Sequence, residues 1–166
     1  MIERTDPGHP EAAAILRQYV VELVERYHER STTDDEIDAL LVEHGNDDLR
    51  PPTGLFLLVR DGDGDWAGDG QTGTIIGCVG LRWLDSETSE LTRMFVRPDA
   101  RRRGVASRLI NAAEDEARTA GAKRMRLDTR TDLVEARALY ARHGYAEIED
   151  YNDGFFADHW FEKTLV

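Results

Sequence analysis

The residues Arg101-Arg102-Arg103-Gly104-Val105-Ala106 follow an alternating run, Glu90 to Val96, and lead straight into a helical pattern. A strand, a tight glycine-containing turn and a helix start together form a device for holding phosphate. The first backbone N–H groups of a helix have no internal partner, and the helix dipole favours an anion beside them. Gly104 lets a ligand come close to the backbone. Ala106 keeps the first turn small, and the guanidinium groups of Arg101, Arg102 and Arg103 add charge-assisted contacts. With Arg97 and Arg108, the same arginines would also suit a nucleic-acid backbone. The chain as a whole carries a formal net charge of −12, which disfavours a polyanionic partner. The expectation is therefore a local phosphate ligand and no nucleic acid. Two strand carboxylates accompany this turn: Glu90, eleven residues before Arg101, and Asp128 on the later run Lys123 to Arg130. Each has a plainer alternative. Glu90 also reads as a solvated strand-end carboxylate, and Asp128 as the partner of Arg93 or Arg130.

The elements that must position these residues follow from periodicity. Pro10 to about Arg30 has helical spacing with a proline suited to the first turn. Ser31-Thr32-Thr33 supplies a cap for a second helix carrying Ile37, Leu40 and Leu41, which stops near Gly45. Gly54–Arg60, Thr74–Leu84 and Ser89–Arg97 read as three strands of an antiparallel meander, with the Asp- and Gly-rich stretch 61–73 as a long hairpin tip. In the third strand Leu91, Arg93 and Phe95 alternate against Thr92, Met94 and Val96. Arg101 to Ala120 reads as a helix, Lys123–Arg130 as a strand, and Asp132–His143 as a helix opened by an Asp132/Glu135 capping box. Tyr145–Asp150 and His159–Leu165 close the chain as strands. This order predicts one α/β domain over residues 1–166, a mixed sheet with helices packed on it.

Composition narrows the class. The chain has 166 residues, 40% hydrophobic, enough for one packed core. Its longest apolar runs, such as Leu55–Val59, are far too short to span a bilayer, so no membrane partner is expected. The start, Met1-Ile2-Glu3-Arg4-Thr5-Asp6, is acidic and polar, unlike a signal peptide, and Cys78 is the one cysteine. Both point to a cytoplasmic protein. Cys78 reads as a small buried strand residue, and the five histidines show no metal-ligand spacing, so no metal is expected. All but two of the 21 basic residues are arginine. The acidity fits either adaptation to salt or a cationic substrate.

These motifs resemble the GNAT superfamily of N-acetyltransferases. Its phosphate motif, Gln/Arg-x-x-Gly-x-Gly/Ala, is met by Arg101 to Ala106, and Val96-Arg97-Pro98-Asp99 precedes it as in many members. Downstream, Ala138-Leu139-Tyr140-Ala141-Arg142-His143-Gly144-Tyr145 matches the family's Ala-Leu-Tyr-x-x-x-Gly-Phe/Tyr box. The resemblance covers about Gly54 to Val166. It implies a mostly antiparallel sheet with a splayed parallel strand pair, helices on both faces, and acetyl-CoA as co-substrate in the splay. It further implies that the pantetheine pairs with Met94, Phe95 and Val96, that the pyrophosphate sits on Arg102 to Ser107, and that the Tyr140 phenol points at the cofactor sulfur. Many members carry an asparagine seven residues before that tyrosine; this chain has Leu133, so that contact is expected to be absent or replaced.

Acetylation of an amine by a thioester needs a neutral amine, a polarised carbonyl and a protonated leaving thiolate. An alkyl ammonium titrates near pKa 10, so a base must take its proton. Glu90 is the first candidate, at the offset where the histone-acetylating branch has its base glutamate, and Asp128 is the second. Tyr140 would serve as general acid, and a backbone N–H near Phe95 would polarise the carbonyl, both by resemblance. The expected partner is a small-molecule or peptide amine, cationic, held between Tyr27–Asp35 and Asp150–His159; a homodimer is compatible with the reading. The alternative is a non-catalytic module that binds CoA as a sensor.

Overall fold

The computed structural model describes residues 1–62, 73–154 and 156–166. Most of the expected hairpin tip, with Trp66 and its acid-rich surroundings, lies outside the described residues. Ile2–Arg4 forms a strand (β1), where the sequence predicts none. Three residues are too few for a period to show, and their pairing comes from the edge of a distant strand. Helix α1 (Pro10–His28) buries Ala12, Ile15, Leu16 and Val24. Helix α2 (Asp34–Glu43) starts at a capping box: Thr33 Oγ1 accepts from Glu36 N at 3.2 Å, and the Glu36 carboxylate accepts from Thr33 N at 3.4 Å.

The predicted meander is present as β2 (Gly54–Arg60), β3 (Ile75–Trp83) and β4 (Thr88–Val96), each antiparallel to the next. A 3-10 turn, Pro98–Ala100, leads to α3 (Val105–Thr119), β5 (Arg124–Thr129), α4 (Val134–Arg142), β6 (Ala146–Ile148) and β7 (His159–Thr164). The strands form one sheet in the order β1-β2-β3-β4-β5-β7-β6. Among the described strands only β4 and β5 run parallel, as a strand–helix–strand crossover requires.

Two expected helix starts move. The helix predicted from Arg101 begins at Val105, because Gly104 holds φ +74° and cannot continue a right-handed turn backwards. The Asp132/Glu135 capping box of α4 does not form. Leu133 occupies the cap with no side-chain bond, while Asp132 takes two 2.8 Å bonds from Arg130 and Glu135 binds Arg26. For a carboxylate, a guanidinium fork outcompetes a single backbone N–H.

The core lies on both faces of the sheet. On one, α3 and Tyr140 of α4 pack over Leu57, Val79, Leu81, Leu91, Met125 and Leu127. On the other, α1 packs over Phe56, Leu58, Cys78 and Phe95. Leu91 and Phe95 therefore face opposite ways, contrary to the predicted alternation. Between Cys78/Gly80 of β3 and Phe95/Thr92 of β4 the register shifts by one residue, and Arg93 stands at φ +54°. This β-bulge reverses the pleat halfway along β4. The buried Cys78 thiol donates to the Arg93 carbonyl at 3.3 Å, beneath the bulge.

Candidate active site

The parallel pairing of β4 and β5 lasts three residues, Thr88–Glu90 against Arg124–Arg126. Past that point the strands part and open a cleft of about 1010 Å³. Its long wall is β4 from Glu90 to Val96; α1 supplies Tyr19, Glu22 and Leu23, and α4 supplies Tyr140.

One end of the cleft is the arginine loop. Arg101, Arg102, Gly104, Val105, Ala106 and Ser107 all line it. Gly104 caps α3 without a side-chain bond, so the first N–H groups of this helix meet the cleft. A Cβ on Gly104 would meet nothing within 4 Å, which leaves room for a phosphate against the backbone. Arg102 also adopts a left-handed backbone, φ +62°. The arginine side chains divide in role. Arg101 holds the loop: it donates to the Val96 carbonyl at 2.9 Å and to Glu22 at 2.6 and 2.7 Å. Arg103 turns to Asp61 at 2.7 Å and does not line the cleft. Ser107 Oγ lies 2.9 Å from His143 Nε2, tying the loop to the end of α4.

The other end holds the carboxylates. Glu90, 6% exposed, pairs by register with Arg82 on β3 and Arg126 on β5. Arg126 in turn faces Glu162 of β7 at 2.7 Å. Charges thus alternate in a row across four strands, each carboxylate beside a guanidinium. Arg82 Nη1 donates to Glu90 Oε1 at 3.2 Å, while its Nε donates to Asp48. Tyr151 donates to Glu90 Oε2 at 2.9 Å. Glu90 is therefore not a solvated strand end. Neither expected arginine pairs with Asp128: Arg130 is committed to Asp132 and the Leu23 carbonyl, and Arg93 to Asn46, Thr92 and the His44 carbonyl. Asp128 instead accepts from Asn152 Nδ2 at 2.9 Å.

Tyr140 is 5% exposed and lines the cleft, and its hydroxyl has no hydrogen-bond partner among the described residues. Burial, with lesser help from Tyr19 and Asp128, pushes its phenol well above the ordinary tyrosine range. Tyr19 shares the cleft, and burial raises its phenol too. It packs edge-on to Phe95 at 6.2 Å.

The acceptor wall differs in part from the expectation. Asn152, Gly154 and Phe156 of the expected second segment line the cleft, but the helical wall is Leu40, Glu43, His44 and Gly45 at the end of α2. Tyr27 does not line the cleft, but its ring lies 5.7 Å from that of Phe156, which does. The Arg130 guanidinium lies over both rings, at 5.5 and 5.7 Å. Sequence reasoning missed Arg82, Tyr151 and Asn152. Arg82 was findable from the short β3–β4 turn, which sets it opposite Glu90. Nothing local marks Tyr151 or Asn152 beyond the mixture of acids and aromatics around them. Leu133 lines the cleft where the family often has asparagine. Among the described residues no three His, Cys, Asp or Glu gather as metal ligands, and no helix is long and apolar enough to cross a membrane.

The fold is shared with known acetyltransferase structures. A GNAT acetyltransferase from Staphylococcus aureus superposes with a TM-score of 0.71 at 19% identity over 100% of both chains. The PaiA N-acetyltransferase of Thermoplasma acidophilum, in complex with coenzyme A, gives 0.69 at 19% identity over 99% of each. In sequence, an IAA acetyltransferase of Azospirillum brasilense is 39% identical over 101 residues, covering 60% of this chain and 59% of that protein. The match thus spans about three-fifths of the relative's length. The acetyltransferase (GNAT) family model matches residues 17–145, and the chain belongs to that family. The match takes in α2 and the part of α1 from Arg17 onward, which carry no motif of their own.

Proposed function

We propose that this chain, as one domain over residues 1–166, transfers the acetyl group of acetyl-CoA to a primary amine. One observation carries the reading: two strand carboxylates and a buried, protonated phenol line the same cleft as an uncapped helix N-terminus. The open space at Gly104 and the N–H groups of Val105, Ala106 and Ser107 fit a pyrophosphate. The edge of β4 beyond Glu90 has no strand partner on the β5 side, so Met94, Phe95 and Val96 can pair with the pantetheine arm. Arg101 shapes this loop through Glu22 and Val96, Arg102 has no side-chain partner among the described residues and can meet phosphate, and Arg103 contributes its backbone.

Bound acetyl-CoA supplies the acetyl group as a thioester. Glu90 and Asp128 form the proton-accepting pair for the acceptor ammonium. Glu90 has donors on both oxygens, Arg82 on one and Tyr151 on the other. Asp128 has Asn152 as its one donor among the described residues, which leaves lone pairs for the amine. Tyr140 stabilises the leaving sulfur. A thiol titrates near 8.5 and this phenol well above 10, so the hydroxyl helps by donating a hydrogen bond more than by yielding its proton outright. A β4 backbone N–H near Phe95 polarises the carbonyl. Glu43, Glu90 and Asp128 line the acceptor end and suit a cationic amine, small or peptidic.

Thiol release from acetyl-CoA across a panel of amines tests the reading. Amine-dependent release is expected, with the acceptor's KM rising with ionic strength. CoA binding without turnover on any amine would leave a CoA-binding module instead.

A further inference from the structure

Asn152 has every hydrogen-bonding position of its amide in use. Oδ1 accepts from Trp160 Nε1 at 2.8 Å and from Gly154 N at 3.1 Å. Nδ2 donates one hydrogen to Asp128 Oδ2 at 2.9 Å and the other toward Glu90 Oε2 at 3.4 Å. A flipped amide would set its NH₂ group against two N–H donors and its carbonyl against two carboxylates, so the surroundings determine its orientation. Trp160 is placed by the sheet: it stands opposite Asp128 in the β5–β7 ladder, on the same face. The turn is also closed down on the amide. A Cβ on Gly154 would lie 2.9 Å from Ala157 Cβ, 3.2 Å from Asn152 Oδ1 and 3.4 Å from Asp128 Oδ2.

Two carboxylates drawn to one nitrogen repel each other, and the two donated hydrogens offset that repulsion. Which lone pairs Asn152 occupies decides which ones remain for an incoming amine. We infer that Asn152, locked by Trp160, is a positioning residue that holds Glu90 and Asp128 as one proton-accepting unit with fixed lone pairs toward the acceptor. The inference rests on the reading that these carboxylates take the amine's proton. A mere staple for the segment between β6 and β7 would have other consequences, because it would not act through Asp128.

The experiment compares the parent, Asn152→Ala, Asp128→Asn and the double variant by steady-state kinetics on the best amine of the panel. Asn152→Ala should lower kcat by about tenfold or more and leave the KM for acetyl-CoA within about twofold. It should cost little further once Asp128→Asn is present. Asn152→Asp keeps the shape but replaces a donor by an acceptor, and should lose more than the alanine variant. An equal loss in both Asp128 backgrounds, or an Asp variant no worse than Ala, overturns the inference. If Asn152→Ala does not fold, Trp160→Phe removes the locking N–H together with part of the ring, and is read in the same cycle. A parent that turns over no amine sinks the functional reading, yet the placement remains measurable by carboxyl-carbon NMR. The Glu90 and Asp128 resonances should both move on Asn152→Ala and stay put on Asp153→Ala, an exposed neighbour. Should either fail to move on Asn152→Ala, the inference falls.

Discussion

The Tyr151 phenol donates a 2.9 Å hydrogen bond to Glu90 Oε2 across a separation of 61 residues, and the Arg126 guanidinium lies 5.2 Å from its ring. Burial first, and then the Glu90 charge, drive this phenol far above its ordinary range. The raised phenol favours its role as donor, and this contact pins the segment to the Glu90 end of β4.

Glu90→Gln should cut turnover by roughly 10²–10⁴-fold at neutral pH, the range for a positioned base. Partial recovery is expected at high pH, where the acceptor amine is already neutral. Asp128→Asn is the comparison: a larger loss there, at unchanged melting temperature, assigns the proton transfer mainly to Asp128. Indifference to both substitutions would mean that the protein works by positioning its substrates.

Tyr140→Phe removes one hydroxyl that has no partner among the described residues, so stability and acetyl-CoA binding should survive while kcat falls. High pH should not rescue this variant, since the leaving thiolate still lacks its donor. The phenol's folded pKa lies above its ordinary value of 10.0, so in the parent its protonated form persists through that pH. An alkaline loss of kcat well below pH 10 that disappears in Tyr140→Phe would contradict this placement.

Gly104→Val should weaken acetyl-CoA binding by filling the open space at the α3 mouth. The parent should gain about 2.7 kcal/mol of stability at a hundredfold excess of acetyl-CoA over its Kd. The variant should lose most of that gain in a thermal shift. It should also melt somewhat lower without ligand, because a branched residue at φ +74° is strained. Parent-like binding by the variant would remove this loop from the phosphate site.

The end of α2 lines the cleft, and the helix is opened at its start by the Thr33/Glu36 capping box. The Thr32 hydroxyl foremost, then Arg30 and the Thr33 backbone, hold the Glu36 carboxyl down to about 2 from an ordinary 4.5. A depressed folded pKa stabilises the fold above the unfolded value, and that share is lost as pH falls from 4.5 toward about 2. Amide exchange in α2 should rise over that window in the parent and less so in Glu36→Gln. Thr33→Ala should cost about 1 kcal/mol at neutral pH.

The sequence by itself determined the meander, the Arg101–Ala106 turn and the Tyr140 box, because each depends on contacts within a few residues: period-two strands, a glycine at a positive φ, an uncapped first helical turn. It also placed Glu90 and Asp128 on the strands that border the cleft. Only the tertiary structure decided what those carboxylates touch. The bulge at Arg93 turns Phe95 away from the face of Leu91, an event set by the register of β3 against β4. Asp132 was legible as a helix cap, yet a guanidinium two residues before it offered a stronger bond. Tyr151 and Asn152 sit in a segment with no period at all; their partners on β4 and β5 arrive through sheet pairing between residues far apart in the chain. β1 is likewise a strand only because the edge of β2 offers it hydrogen bonds. Local steric and dipolar rules act within a turn or two and can be read in order along the chain. Pairing energies between distant groups exist only once the sheet has closed, and that closure sets Asn152 between the two carboxylates.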